Sequence, residues 1–154
     1  MERIKAIYFD MDGTIADLYG VKDWLPKLRA SDTSPYEEAR PLVNMEKFER
    51  LLEKLQELGY HLGVISWTSL NGSKEYNRAV RKIKVNWLRK HIGVKFDEIR
   101  VVKYGTRKDY VAKHKDGILF DDDLRVRDKW RGIAIDPQQI EINSVLENLV
   151  ANET

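Results

Sequence analysis

Asp10-Met11-Asp12-Gly13-Thr14 follows the apolar run Ile4 to Phe9 and sets two carboxylates two residues apart, just before a glycine. Three more polar groups are placed in the same way. Ser66-Trp67-Thr68-Ser69 follows His61 to Ile65, Lys103 and Gly105-Thr106-Arg107-Lys108 follow Glu98 to Val102, and Asp121-Asp122-Asp123 follows Gly117 to Phe120. Each group alone has a plain structural explanation. Asp12-Gly13 reads as a turn, Ser66 as a cap or turn hydroxyl, and Asp121 to Asp123 as a solvated acidic loop. Gly13 comes too early for a helix-loop-helix calcium motif. The groups gain weight from occurring in order, each behind an apolar run. If those runs are parallel strands, carboxylates, a hydroxyl and an ammonium converge on one sheet edge. Crowded carboxylates repel, and their pKa values rise unless a cation compensates. An oxygen-only donor set suits Mg²⁺, which binds through one or two carboxylates and shares its shell with water and phosphate. A metal and a lysine that neutralise phosphoryl oxygens, beside a carboxylate nucleophile, are the parts of phosphoryl transfer.

The elements that must position these residues can be read from the pattern. The four runs and a fifth, Gly132 to Ile135, are short and nearly continuous in apolar character. Strands buried on both faces of a parallel sheet read this way. Helical stripes lie between them. Met45, Phe48, Leu51, Leu52, Leu55 and Leu58 form one, with Asn44 as N-cap and Gly59 as stop. Tyr76, Val80, Ile83 and Trp87 form a second, opened by Ser73 and closed near Gly93, and a final helix is expected over Ile140 to Val150. Strand and helix alternate, so the expected fold class is α/β: a Rossmann-like three-layer sandwich around a mainly parallel five-stranded sheet. Asp17 to Val43 breaks the rhythm with no clear strand. A helix around Val21 to Arg29 and a loop over Ser31 to Pro35 are expected there, and so long an insertion after a first strand is usually functional or disordered, with its aromatics arguing against disorder.

The chain has 154 residues, which favours one domain, and 27 Lys plus Arg against 25 Asp plus Glu leave a net charge of +2. Hydrophobic residues at 42 % can fill one core, and charged residues at 34 % suit a soluble surface. With no cysteine there is no disulfide framework, thiol nucleophile or zinc–cysteine site. No apolar run approaches the ~20 residues of a membrane helix. Met1 to Lys5 has no apolar stretch after its charges, so no signal peptide is expected. The expected setting is cytoplasmic, with no membrane partner and an open oligomeric state.

The motifs Phe9-Asp10-Met11-Asp12-Gly13-Thr14, Val64-Ile65-Ser66 and Ile118-Leu119-Phe120-Asp121-Asp122 resemble those of the haloacid dehalogenase (HAD) superfamily of phosphohydrolases. The small size, the paired acids and Gly105-Thr106-Arg107-Lys108 are most similar to phage- and prophage-type members near the 5′(3′)-deoxyribonucleotidases. The resemblance implies a single HAD-like domain over 1–154 with a small cap insertion at about 17–43. It implies Asp10 as nucleophile, forming an aspartyl-phosphate, and Asp12 as the acid and base whose carbonyl also meets the metal. Ser66 would donate to a phosphoryl oxygen. Asp121 and Asp122 would complete the Mg²⁺ site, one directly and the other through water, with Asp123 outside it. The family's lysine is either Lys103 or Lys108, and Lys108 is preferred because Gly105-Thr106 lets the loop turn it inward.

Trp67, Thr68, Trp24 and Arg40 are expected to bind substrate, the aromatics by stacking on a base and the arginine by pairing with phosphate. Trp24 and Tyr36 have an equal claim as residues that pin the insertion to the core. The expected activity is hydrolysis of a small phosphomonoester, such as a nucleoside monophosphate. Two alternatives stand beside it: a nucleic-acid end phosphatase and a non-catalytic phosphate-binding module. Lys74, Arg78, Arg81, Lys82, Lys84, Arg89 and Lys90 make one helix strongly basic. The solvated face of an amphipathic helix explains them better than a nucleic-acid surface. The three histidines show no metal-ligand spacing, and Trp130 is expected to pack beside the last strand.

Overall fold

A computed structural model describes residues 5–153. The order of elements is β1 (Ala6–Phe9), β2 (Ala16–Asp17), a 3-10 turn over Leu18–Gly20, α1 (Trp24–Arg29), α2 (Ser34–Glu38), β3 (Arg40–Pro41), α3 (Met45–Glu57) and β4 (His61–Trp67). It continues with α4 (Lys74–His91), β5 (Glu98–Val102), α5 (Lys108–Val111), β6 (Ile118–Phe120), α6 (Leu124–Lys129), β7 (Ile133–Ile135) and α7 (Ile142–Glu153). Five strands form one sheet in the order β5-β4-β1-β6-β7, every neighbouring pair parallel. This is an α/β Rossmann-like fold with helices on both faces of the sheet.

β1 sits at the centre, and its four residues are all buried. Side chains alternate between the faces of a strand, so Ile7 and Phe9 join one cluster while Ala6 and Tyr8 join the other. The first cluster takes Phe48, Leu52 and Leu55 from α3, Trp87 and Leu88 from α4, and Leu146 from α7. The second takes Val126 from α6, together with Ala112 and Trp130. Asn44 caps α3 by accepting from the Lys47 amide at 3.1 Å, and Ser73 caps α4 by accepting from the Tyr76 amide at 3.1 Å.

The expected strands all form; β5 keeps the expected ends, and the other four shift by one or two residues. Ile4 lies outside the described residues. β4 runs two residues further than the pattern suggests, so Ser66 and Trp67 belong to the strand rather than to the loop behind it. The last helix begins at Ile142, because the amide of Ile140 donates to the Asp136 carbonyl in a preceding turn. The 17–43 segment does contain strand. β2 and β3 pair antiparallel, Ala16 with Pro41 and Asp17 with Arg40, so the two ends of the segment meet. α1 starts at Trp24 rather than Val21, because Asp23 before it takes a left-handed φ of 57°. Ser34 and Pro35 start α2, where a proline costs no hydrogen bond. Leu18 and Tyr36 pack on Tyr76 and Val80 of α4, and the Tyr76 hydroxyl donates to the Asp32 carbonyl at 2.8 Å. The indole N–H of Trp87 donates to the Ala39 carbonyl at 2.8 Å, a second tie between the segment and α4.

Candidate active site

β1 delivers Asp10 to the carboxyl edge of the sheet, and its amide extends the pairing with β6 by donating to the Phe120 carbonyl at 2.9 Å. The chain then turns sharply. The Met11 carbonyl accepts from the amides of Thr14, Ile15 and Ala16. Gly13 takes φ +80°, which strains any side chain, and a Cβ there would collide with the Asp122 carboxylate. Glycine therefore makes the turn and admits Asp122 to the site. Thr14 donates its hydroxyl to Asp10 Oδ2 at 3.1 Å.

Lys108 approaches Asp10 from the other side. The Lys103 carbonyl accepts from both the amide and the hydroxyl of Thr106, at 3.0 and 2.6 Å, and Gly105 takes φ +86°. That turn sets Lys108 as the first residue of α5. Lys108 is 3 % exposed, and its Nζ donates to Asp10 Oδ1 at 2.9 Å and to Asp121 Oδ2 at 2.7 Å. Burial works against its charge, but Asp10 and Asp121 outweigh burial and raise its pKa. Lys103 is exposed. Trp67 braces the arrangement. Its ring lies 5.3 Å from the Lys108 ammonium, and its N–H donates to the Thr106 carbonyl at 2.9 Å.

Asp10, Asp121 and Asp122 each offer a carboxylate oxygen, and these oxygens lie within 4.8 Å of one another. Burial and the Asp10 charge push Asp121 up to about 7 and Asp122 up to about 8. Three crowded oxygen donors that resist ionisation together fit a hard divalent cation such as Mg²⁺. The Asp12 carboxylate is not part of this cluster. Asp123 stands aside as the N-cap of α6, bonded to the Arg125 amide at 2.9 Å and its guanidinium at 2.8 Å.

The Asp12 carboxylate turns instead to Lys84. Lys84 Nζ donates to Asp12 Oδ2 at 2.6 Å, Ser66 Oγ at 2.8 Å and the Trp67 carbonyl at 2.6 Å. Burial pushes the Asp12 carboxyl up from its ordinary range, and Lys84 pulls the other way. The expectation that Lys84 belongs to a solvated helix face is therefore wrong. The signal was present in the sequence, since position 84 lies four residues from both Val80 and Leu88, on the buried stripe of α4.

Above the cluster opens a cleft of about 720 Å³, lined by Asp10, Asp12, Lys108, Asp121 and Asp122 at its base. Trp24, Trp67 and Thr68 line it, while Ser66 is buried behind them. Arg40 is exposed on β3 and does not line the cleft; Arg29 does. Tyr36 lines it beside Trp24, and Tyr19 and Tyr104 complete an aromatic wall with two residues that the sequence alone did not single out. Trp24 meets Tyr19 edge-on at 4.9 Å.

The arrangement defines a Rossmann-like α/β protein with a carboxylate–lysine cluster at the carboxyl edge of its sheet. No family model and no curated protein matches the sequence. Among solved structures, the crystal structure of D,D-heptose 1,7-bisphosphate phosphatase from Burkholderia thailandensis matches with a TM-score of 0.52 at 12 % identity, covering 96 % of this chain and 99 % of that one. At that identity the likeness establishes the fold.

Proposed function

We propose that the protein is a Mg²⁺-dependent phosphohydrolase of the HAD type, acting on a small phosphomonoester through an aspartyl-phosphate. The observation that carries this reading is Lys108, buried between Asp10 and Asp121 beside three converging carboxylates. The fold it shares with a sugar-bisphosphate phosphatase agrees with it. Asp10, Asp121 and Asp122, with the Asp12 carbonyl, would hold Mg²⁺, which when bound would neutralise charge on the phosphoryl oxygens. An Asp10 oxygen attacks phosphorus, the bond to the leaving oxygen breaks, and Asp12 gives that oxygen a proton. Asp12 then takes a proton from water as the water oxygen attacks phosphorus. The bond from phosphorus to Asp10 breaks, and inorganic phosphate forms. Lys108 offsets the charge of the nucleophile and the phosphoryl group throughout.

The cleft favours a substrate with a flat body. Trp24, Trp67 and three tyrosines around it can stack on a base, and its volume lies in the range of small-ligand pockets. A nucleoside monophosphate fits that description. A panel of phosphomonoesters with and without Mg²⁺ tests the reading: turnover that chelation and Asp10→Asn each abolish supports it. Binding of phosphate without turnover of any ester points to a binding module, and preference for phosphorylated oligonucleotide ends points to a nucleic-acid phosphatase.

A further inference from the structure

Lys84 is 1 % exposed, and a buried ammonium is tolerated only when its donors are satisfied. A lysine has three donors, and Asp12 Oδ2, Ser66 Oγ and the Trp67 carbonyl take all three. The Tyr36 ring flanks it at 5.0 Å. Nothing on the ammonium is left for a substrate. Lys108, by contrast, gives its donors to the carboxylates at which a phosphoryl group would arrive. The two buried lysines therefore do different work. One faces the reacting atoms, and the other faces the group that moves the proton.

We propose that Lys84 is a positioning residue for proton transfer at Asp12: it holds Oδ2, keeps the carboxylate out of the cation cluster, and leaves Oδ1 as the oxygen that carries the proton to the leaving group. This rests on the phosphohydrolase reading of the site. Among the described residues no hydrogen bond engages Oδ1, so holding Oδ2 fixes which oxygen faces the cleft. The same ammonium makes Ser66 Oγ an acceptor and leaves its hydroxyl hydrogen free of that contact. Lys84 thus links the acid on the β1 turn to the hydroxyl on β4.

Leaving-group dependence tests this. 4-Nitrophenyl phosphate expels an anion that needs no proton, whereas benzyl phosphate, of similar size and shape, expels an oxygen that does. The value of kcat/KM reports each ester up to departure of its leaving group. Lys84→Met should lower kcat/KM for benzyl phosphate by about a hundredfold, the range of a lost general acid, and for 4-nitrophenyl phosphate by under about tenfold. Both rates come from one preparation, so any loss of folded protein cancels in their ratio. If Lys84→Met yields no folded protein, the ratio for Lys84→Gln is read in the same way. Equal losses on both esters would show that Lys84 only supports the fold and would overturn the proposal. If the unaltered protein turns over no phosphomonoester of the panel with Mg²⁺ present, the phosphohydrolase reading itself falls and the proposal with it.

Discussion

Asp121 and Asp122 sit where burial and neighbouring carboxylates oppose their charge, and both are raised from an ordinary value of 3.8, to about 7 and about 8. Between those limits the folded protein binds more protons than the unfolded chain. The contribution of Asp121 and Asp122 to metal-free stability therefore falls as pH rises from about 4 to about 8. A divalent cation takes the place of those protons, so its stabilising effect should grow over the same window. Thermal melts of the metal-free protein should show a lower Tm at pH 8 than at pH 5, and Mg²⁺ should raise Tm more at pH 8. Asp122→Asn should raise the metal-free Tm at pH 8 while removing both the Mg²⁺ effect and turnover. A Tm indifferent to Mg²⁺ at both pH values would count against the cation site. The lysines give a second test. Lys108→Ala strips Asp10 and Asp121 of their shared cation and should cut turnover by about a hundredfold or more. Lys103→Ala removes an exposed charge and should leave turnover within about twofold, a surface effect. The reverse ranking in steady-state assays would mean that the wrong lysine has been placed at the phosphoryl group.

At the scale of elements, the central strands and α3 were legible because each carries a local signal. Four apolar residues with no polar interruption make β1, and Asn44 and Gly59 bracket α3. Gly105-Thr106 announced the turn that brings Lys108 inward. Lys84 was obscured by its neighbours: on a helix with so many exposed cations, a buried one looks like the rest until its place on the stripe is counted. The two-residue strands β2 and β3 left no pattern to read, because a ladder that short depends on where the rest of the segment packs. Arg40 was misplaced for the same reason, since its direction follows from pairing with Asp17. The corrected geometry separates two residues that the sequence grouped together. Trp24, carried to the cleft by α1, should matter to a substrate with a base, whereas Arg40 should not. Trp24→Ala should reduce kcat/KM for a nucleoside monophosphate about tenfold more than for 4-nitrophenyl phosphate, the scale of one lost stacking contact. Arg40→Ala should leave both unchanged. Equal losses from Trp24→Ala on the two esters would assign the indole to packing alone.

Across the whole molecule the sheet has two polar regions with opposite electrostatic character. At the carboxyl edge, carboxylates are held together against their repulsion. At the amino ends of β4 and β5, the Glu98 carboxylate is surrounded by donors. Glu98 Oε1 accepts from the Tyr8 hydroxyl at 2.8 Å and lies 2.8 Å from His61 Nε2, while Oε2 accepts from Arg100 at 2.9 Å and from the Lys113 amide at 3.2 Å. The Tyr8 hydroxyl accepts in turn from the His114 amide at 2.9 Å. Burial opposes the Glu98 charge, but these partners outweigh burial and hold its carboxyl below the ordinary 4.5. A depressed carboxyl stabilises the fold fully above its unfolded value and loses that contribution as pH falls through the folded one. Glu98 should therefore support the fold at neutral pH and release it below about pH 4.5, the reverse of Asp121 and Asp122. Glu98→Gln removes the charge from the network and should cost about 2 kcal/mol near pH 7, the worth of hydrogen bonds to an ionised acceptor. The gap between the variant and the unaltered protein should narrow as the solution is acidified below pH 4.5, measured by urea denaturation. Because none of these hydrogen bonds reaches a cleft residue, kcat/KM of the folded variant should stay within about twofold of the unaltered protein. A constant stability gap from pH 7 to pH 3 would show that Glu98 is not held as a carboxylate. A large fall in kcat/KM would show that the two ends of the sheet are coupled rather than independent.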